Sequence, residues 1–118
     1  MSNFPIIQTA IPRQRYQYGE YSVSVLGEIE SPDPQNYQFI MAFVPEGKSQ
    51  PVLYVCSQKT RPKDRHEGSH QLRVINQAMS EIMSTDDQWR DLDTFVAEAL
   101  KLGEQMLALT GERLTKLM

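Results

Sequence analysis

The sequence predicts an α+β domain: a three-stranded antiparallel β-meander followed by two C-terminal α-helices packed on one face. Three observations lead to this fold class. Residues 15–58 are rich in tyrosine, valine and phenylalanine and are interrupted by two short turns. Residues 69–118 carry apolar side chains at helical spacing. All the predicted strands precede all the predicted helices, an order typical of a single α+β domain.

The predicted meander follows an N-terminal arm, residues 1–14, which we expect to be a short edge strand or disordered. In the first strand, RYQYGEYSVSVLGEI (15–29), a bulge at Gly19 would bring the tyrosines onto one face. The turns SPDPQN and PEGKSQP then separate YQFIMAFV (37–44) from VLYVCSQ (52–58). The middle strand is apolar on both faces, which indicates that both of its sides are covered.

A basic loop, residues 59–68, precedes the first predicted helix, which extends from about residue 69 to residue 83. The apolar side chains of this segment recur on one stripe, at the spacing of an amphipathic helix. The stripe consists of Leu72, Ile75, Ala78, Met79, Ile82 and Met83.

The second predicted helix begins at a capping box, with Thr85 as the N-cap and Gln88 reaching back to its amide. Its apolar sector covers roughly half of the circumference, wider than the stripe of a simple surface helix. Ala99 and Gly103 lie near the centre of this sector, which allows another element to approach closely.

Composition and charge exclude several classes of protein. The 40% apolar and 23% charged residues are typical of a globular chain. No apolar run approaches the roughly 20 residues that span a bilayer, and the N-terminus lacks the features of a signal peptide. The net charge of −3 argues against a general nucleic-acid binder. The single Cys56 cannot form an internal disulfide, so we expect a cytoplasmic location.

Both histidines of the chain lie in the stretch HEGSH (66–70). On a helix, His-Glu-x-x-His places two zinc ligands and a general base, which would make His66, Glu67 and His70 the centre of a metal-dependent hydrolase. Gly68 and the preceding Pro62 disfavour a helix here, and Ser69 is a natural N-cap of the helix that follows. A polar junction between a loop and a helix is therefore the favoured interpretation, with no metal and no cofactor.

The basic loop and the start of the first predicted helix form the candidate site for a partner or ligand. Residues 59–73 contain five basic and two acidic residues, whereas residues 81–98 contain one basic and six acidic residues. Arginine and lysine donate charge-assisted hydrogen bonds to anions. The alternative is that this loop stays solvated or lies against the acidic start of the second helix. The candidate residues are Arg61, Lys63, Arg65, His66, His70 and Arg73.

The leading hypothesis is a non-enzymatic interaction module, such as an adaptor, accessory or chaperone-like protein, that binds an acidic protein or an anionic ligand. We also expect a homodimer, because the wide apolar helix and the two-sided middle strand leave much apolar surface in a short chain. The metal-dependent hydrolase is the second hypothesis. Nucleic-acid binding, through the basic loop and the arginines and tyrosines of residues 13–21, is the third.

Overall fold

Residues 4–118, which the computed structural model describes, form a seven-stranded antiparallel sheet and one α-helix, α1 (Leu92–Met106). The strands lie in the order β6-β5-β4-β3-β2-β1-β7, so the first six form a meander and the last returns beside β1. Their bounds are β1 Thr9–Tyr18, β2 Tyr21–Glu30, β3 Tyr37–Pro45, β4 Leu53–Lys59, β5 His70–Asn76, β6 Ser80–Thr85 and β7 Leu114–Lys116.

The predicted fold class is wrong, because the segment expected as the first helix is the hairpin β5–β6. Leu72 packs in the core under α1, whereas Ile75 packs on the opposite face of the sheet. One helical stripe cannot bury both sides of this segment, but a strand paired with β4 can. The Asn76 side chain closes the hairpin by accepting hydrogen bonds from the amides of Ala78 and Met79, both at 2.8 Å.

The first predicted strand is also two strands rather than one bulged strand. Gly19 has a φ of +56° and forms the tight turn between β1 and β2, where Tyr18 pairs with Tyr21. Glycine adopts this left-handed conformation without a steric penalty, which explains its position in the turn. The predicted arm therefore includes much of β1, and residues 1–3 lie outside the described residues.

The second predicted helix exists but begins several residues later than the capping box indicated. Asp91 is the N-cap of α1, and its carboxylate accepts from the Thr94 amide at 3.0 Å and the Thr94 hydroxyl at 2.8 Å. Asp86 instead caps a short 3₁₀ helix, Asp87–Arg90, by accepting from the Gln88 amide at 2.9 Å. Several acidic side chains near this point could serve as caps, so the sequence pattern alone did not locate the start.

The helix α1 covers one side of the sheet, which we call the helix face. Phe95 and Ala99 of α1 are fully buried there against the middle strands. The close approach predicted near Ala99 and Gly103 is confirmed, since a Cβ on Gly103 would lie 2.2 Å from Cζ of Phe43.

The opposite side of the sheet, which we call the arm face, is partly covered by the arm, defined from here on as residues 4–8. Phe4 packs edge-on against Tyr54 with a centroid distance of 5.2 Å. A second apolar cluster of Ile40, Ala42, Tyr54, Cys56 and Ile75 is buried under this cover. The prediction that both sides of β3 are covered is thus confirmed.

No helix within residues 4–118 is both long enough and apolar enough to cross a membrane. The cytoplasmic location expected from the sequence stays a prediction.

Candidate functional site

The HEGSH stretch spans a change of backbone direction and is not a continuous helix. A 3₁₀ helix covers Pro62–Glu67, and His70 is the first residue of β5. Between them Gly68 has a φ of +153°, and a Cβ there would lie 2.6 Å from Cα of Asp86. Only glycine fits this close approach of two backbone segments. The one-turn spacing of two zinc ligands on a helix is therefore not formed.

The two histidines have different environments. His66 is exposed, whereas His70 retains only 6% of its accessible surface. Nδ1 of His70 lies 2.8 Å from the Ser69 hydroxyl, and Nε2 lies 3.4 Å from Oε1 of Gln38. The neutral Nε2–H tautomer fits both contacts, with the Ser69 hydroxyl donating to Nδ1. His70 is thus a satisfied histidine within the fold.

Electrostatics also favour the neutral form of His70. Burial lowers the pKa of this ring, the positive charges of Lys59 and Arg90 lower it further, and Asp87 opposes them. Among residues 4–118, no three His, Cys, Asp or Glu side chains are grouped as a metal site requires. No contact in this part of the structure supports the hydrolase hypothesis.

Four of the predicted site residues lie together at the exposed 3₁₀ helix, with Arg61 at its N-cap, and we call them the basic corner: Arg61, Lys63, Arg65 and His66. All four side chains are exposed. None has a side-chain hydrogen bond or ion pair to another described residue.

The nearby acidic side chains are engaged within the fold. Asp87 Oδ1 accepts from the Ser69 amide at 2.7 Å, and this hydrogen bond lowers the pKa of Asp87. Asp86 is occupied by the Gln88 amide. The alternative, in which the acidic segment pairs with the basic loop, is therefore not formed through these carboxylates.

The remaining two predicted residues do not join the basic corner. His70 points to the helix face and is buried. Arg73 points to the arm face, where Nε donates to Oε1 of Gln58 at 3.1 Å and Nη1 donates to the Ser80 hydroxyl at 2.9 Å. Adjacent positions of a strand point to opposite faces, so reading this segment as a helix placed Arg73 with the wrong neighbours.

The surface of arginines and tyrosines considered for nucleic-acid binding is also divided between the two faces. Tyr16 and Tyr18 are buried on the helix face, whereas Arg15, which directly precedes Tyr16, is exposed. Tyr18 donates a hydrogen bond to Glu104 of α1 at 2.8 Å. These tyrosines are part of the core and are not exposed for stacking on bases.

Sequence reasoning missed a polar group on the arm face. Gln58 is buried beside Arg73, and the Tyr37 hydroxyl donates to Oδ2 of Asp33 at 3.0 Å. The signal that could have revealed it is the polar pair at alternate positions of β5, Gln71 and Arg73, beside Gln58 at the end of β4. Reading β5 as a strand would have brought Gln58, Gln71 and Arg73 onto one face.

Comparisons of the chain with protein-family models, curated proteins and solved structures found no match. A functional assignment therefore depends on the residues of this chain and their geometry.

Proposed function

We propose that this chain is a small non-enzymatic interaction module that binds an acidic protein surface through the basic corner. The observation that carries the proposal is the exposure of Arg61, Lys63 and Arg65 without an ion pair to any residue in the described range 4–118. Carboxylates of a partner would complete the charge-assisted hydrogen bonds that these side chains lack.

The backbone presents the basic corner in a fixed conformation. The Thr60 amide donates to the Ser69 carbonyl at 2.9 Å and closes the base of the loop. The Gly68 amide donates to the Arg65 carbonyl at 3.1 Å and closes the 3₁₀ turn. A preformed turn loses less conformational entropy on binding than a flexible loop, which favours a specific interface.

The position of the acidic residues limits how a partner can approach. A cleft of about 210 Å³ beside the corner is lined by Arg65 and His66 but also by Glu67, Asp86 and Asp87. Arg61 and Lys63 are not among the residues that line this cleft. An acidic partner would therefore meet the outer side of the corner, where cations are not opposed by carboxylates.

The proposal is tested by fluorescence anisotropy with labelled poly-L-glutamate as the acidic probe. We expect saturable binding that weakens as salt is added, because exposed charges are screened. Replacing Arg61, Lys63 and Arg65 together by glutamate should weaken the affinity roughly tenfold or more, since like charges would then face each other.

The matched control reverses three exposed cations elsewhere: Lys48→Glu, Lys101→Glu and Arg113→Glu. This variant has the same net charge as the corner variant, so only the position of the charges differs. Equal loss of binding in both variants would show that total charge governs the attraction and would overturn the proposal. Tighter binding of duplex DNA or RNA than of poly-L-glutamate would instead support the nucleic-acid hypothesis.

We propose that the chain forms the homodimer expected from the sequence through the edges of the sheet. The apolar surfaces that suggested dimerisation are buried within the chain, by α1 on one face and by the arm on the other. Exposed apolar side chains remain at Ile82 and Met83 of β6 and at Leu114 of β7. Light scattering at high micromolar concentration is the test, and a monomer there would end this proposal.

A further inference from the structure

A pocket of about 330 Å³ opens on the arm face, on the opposite side of the sheet from His70. Its walls include the apolar side chains of Phe4 and Ile6 from the arm and Ile75 from β5. Asp33, Tyr37 and Arg73 add polar groups to the same walls. The volume lies at the lower end of the roughly 300–1,000 Å³ typical of small-molecule sites. We call it the arm pocket.

Arg73 provides a fixed positive charge in the arm pocket. Its Nε and Nη1 are held by Gln58 at 3.1 Å and by Ser80 at 2.9 Å, so the guanidinium has a defined orientation. Guanidinium carries five N–H donors, and Nη2 has no hydrogen-bond acceptor among residues 4–118. No described carboxylate forms an ion pair with it. A half-buried arginine in this state can still bind an anion bidentately.

Asp33 provides a fixed negative charge in the same pocket. Its Oδ2 accepts from the Ile6 amide at 2.9 Å and from the Tyr37 hydroxyl at 3.0 Å. These two bonds fix the carboxylate, while Oδ1 has no hydrogen-bond partner in the described part of the chain. The Ser31 hydroxyl donates to the Ile6 carbonyl and ties the arm to the same turn. The turn that carries Ser31 and Asp33 therefore also binds the arm, through the backbone of Ile6.

The charges of Asp33 and Arg73 both act on Tyr37, which lines the same pocket. Burial raises the pKa of Tyr37, Asp33 raises it further, and Arg73 opposes this effect. No ion pair joins Asp33 and Arg73, although both line one pocket. Two opposite, separated charges beside an apolar wall match a ligand that carries two opposite charges and an apolar body.

We propose that the arm pocket binds a small zwitterion of the class of apolar α-amino acids. The ligand carboxylate would pair with the free edge of Arg73, and its ammonium group would pair with Asp33. Its apolar side chain would lie against Phe4, Ile6 and Ile75. This site is separate from the basic corner and does not depend on the function proposed for it.

Isothermal titration calorimetry with L-leucine tests the proposal, with two analogues that each lack one charge. N-acetyl-leucine lacks the ammonium group and leucinamide lacks the carboxylate. We expect saturable leucine binding, and for each analogue an affinity weaker by roughly tenfold or more, because one charge in the pocket would then be left unpaired. Equal or tighter binding of N-acetyl-leucine would show a simple anion site and would overturn the proposal.

Substitutions in the pocket locate the binding. Arg73→Met and Asp33→Asn should each abolish saturation by leucine, whereas Arg113→Met, at an exposed arginine outside the pocket, should leave it unchanged. Circular dichroism establishes that each variant is folded, and Arg73→Lys replaces Arg73→Met if the latter does not fold. Unchanged leucine binding in a folded Arg73 variant, or no saturation of the native chain up to ~10 mM leucine, would refute the site.

Discussion

The two faces of the sheet are built from the same strands but differ in what covers them. On the helix face, Phe43 and Leu53 of the sheet and Phe95 of α1 are almost completely buried against each other's elements. On the arm face, a smaller apolar cluster is bordered by Gln58 and Arg73, and its cover includes an extended segment rather than a helix. A well-packed apolar layer stabilises a fold, whereas half-buried polar groups add little or reduce stability. The difference indicates that the helix face supplies most of the stability, while the arm face can carry a binding site.

The largest expected effect is on the helix face. Phe95→Ala should lower the free energy of unfolding by about 3–5 kcal/mol, because it removes a fully buried ring and leaves a cavity. Phe4→Ala, the matched change on the arm face, removes a half-buried ring and should cost roughly 1–2 kcal/mol. Denaturant unfolding measures both, and equal losses would contradict the division between the two faces.

A second effect on the helix face is the close contact at Gly103. Gly103→Ala gains about 1 kcal/mol of helix propensity but places a methyl group on the Phe43 ring. Overpacking of a filled core typically costs about 1–3 kcal/mol, so we expect a net loss of stability. The double variant with Phe43→Leu should recover part of that loss in a double-mutant cycle. A more stable Gly103→Ala protein would show that α1 can move away from the sheet without penalty.

The smallest expected effect comes from His70 at the edge of the helix face. Its folded pKa is lowered, so the unfolded chain binds a proton more readily as pH falls below the ordinary histidine value of about 6.5. The contribution of His70 to stability is therefore complete above that pH and is lost as pH falls through the lowered folded pKa.

His70→Gln should remove this part of the pH dependence, measured as the change in the free energy of unfolding between neutral and mildly acidic solution. His66→Gln changes an exposed side chain and serves as the control, with the native pH dependence expected. An identical pH dependence in the His70 variant and the native chain would contradict the assigned burial.

The sequence predicted the helix face better than the arm face, for physical reasons that particular residues show. Phe95, Ala99 and Gly103 recur every four residues over about two turns of one helix, so their period is unambiguous. In β5, Leu72 and Ile75 fit both a helical stripe and a strand buried on two sides. Local periodicity cannot distinguish these two states, because pairing with β4 decides between them and that pairing is non-local.

The same limitation affected the candidate sites. Arg61, Lys63, Arg65 and His66 are neighbours in sequence, and a single turn brings them together. The arm pocket instead combines Asp33 with Arg73, which lie 40 positions apart in the chain and meet only through the strand order. A site formed across a sheet is not visible until the strands and their order are known.

The most direct test of the contrast between the faces is the free energy of unfolding of the double variant Gln58→Leu/Arg73→Met. Replacing both members of a buried polar pair by apolar groups of similar shape is often nearly neutral. We therefore expect this free energy to remain within about 1 kcal/mol of the native value, since the polar pair contributes little to stability. A loss of several kcal/mol would show that the polar pair is part of the structural core, and it would contradict the assignment of the arm face to binding.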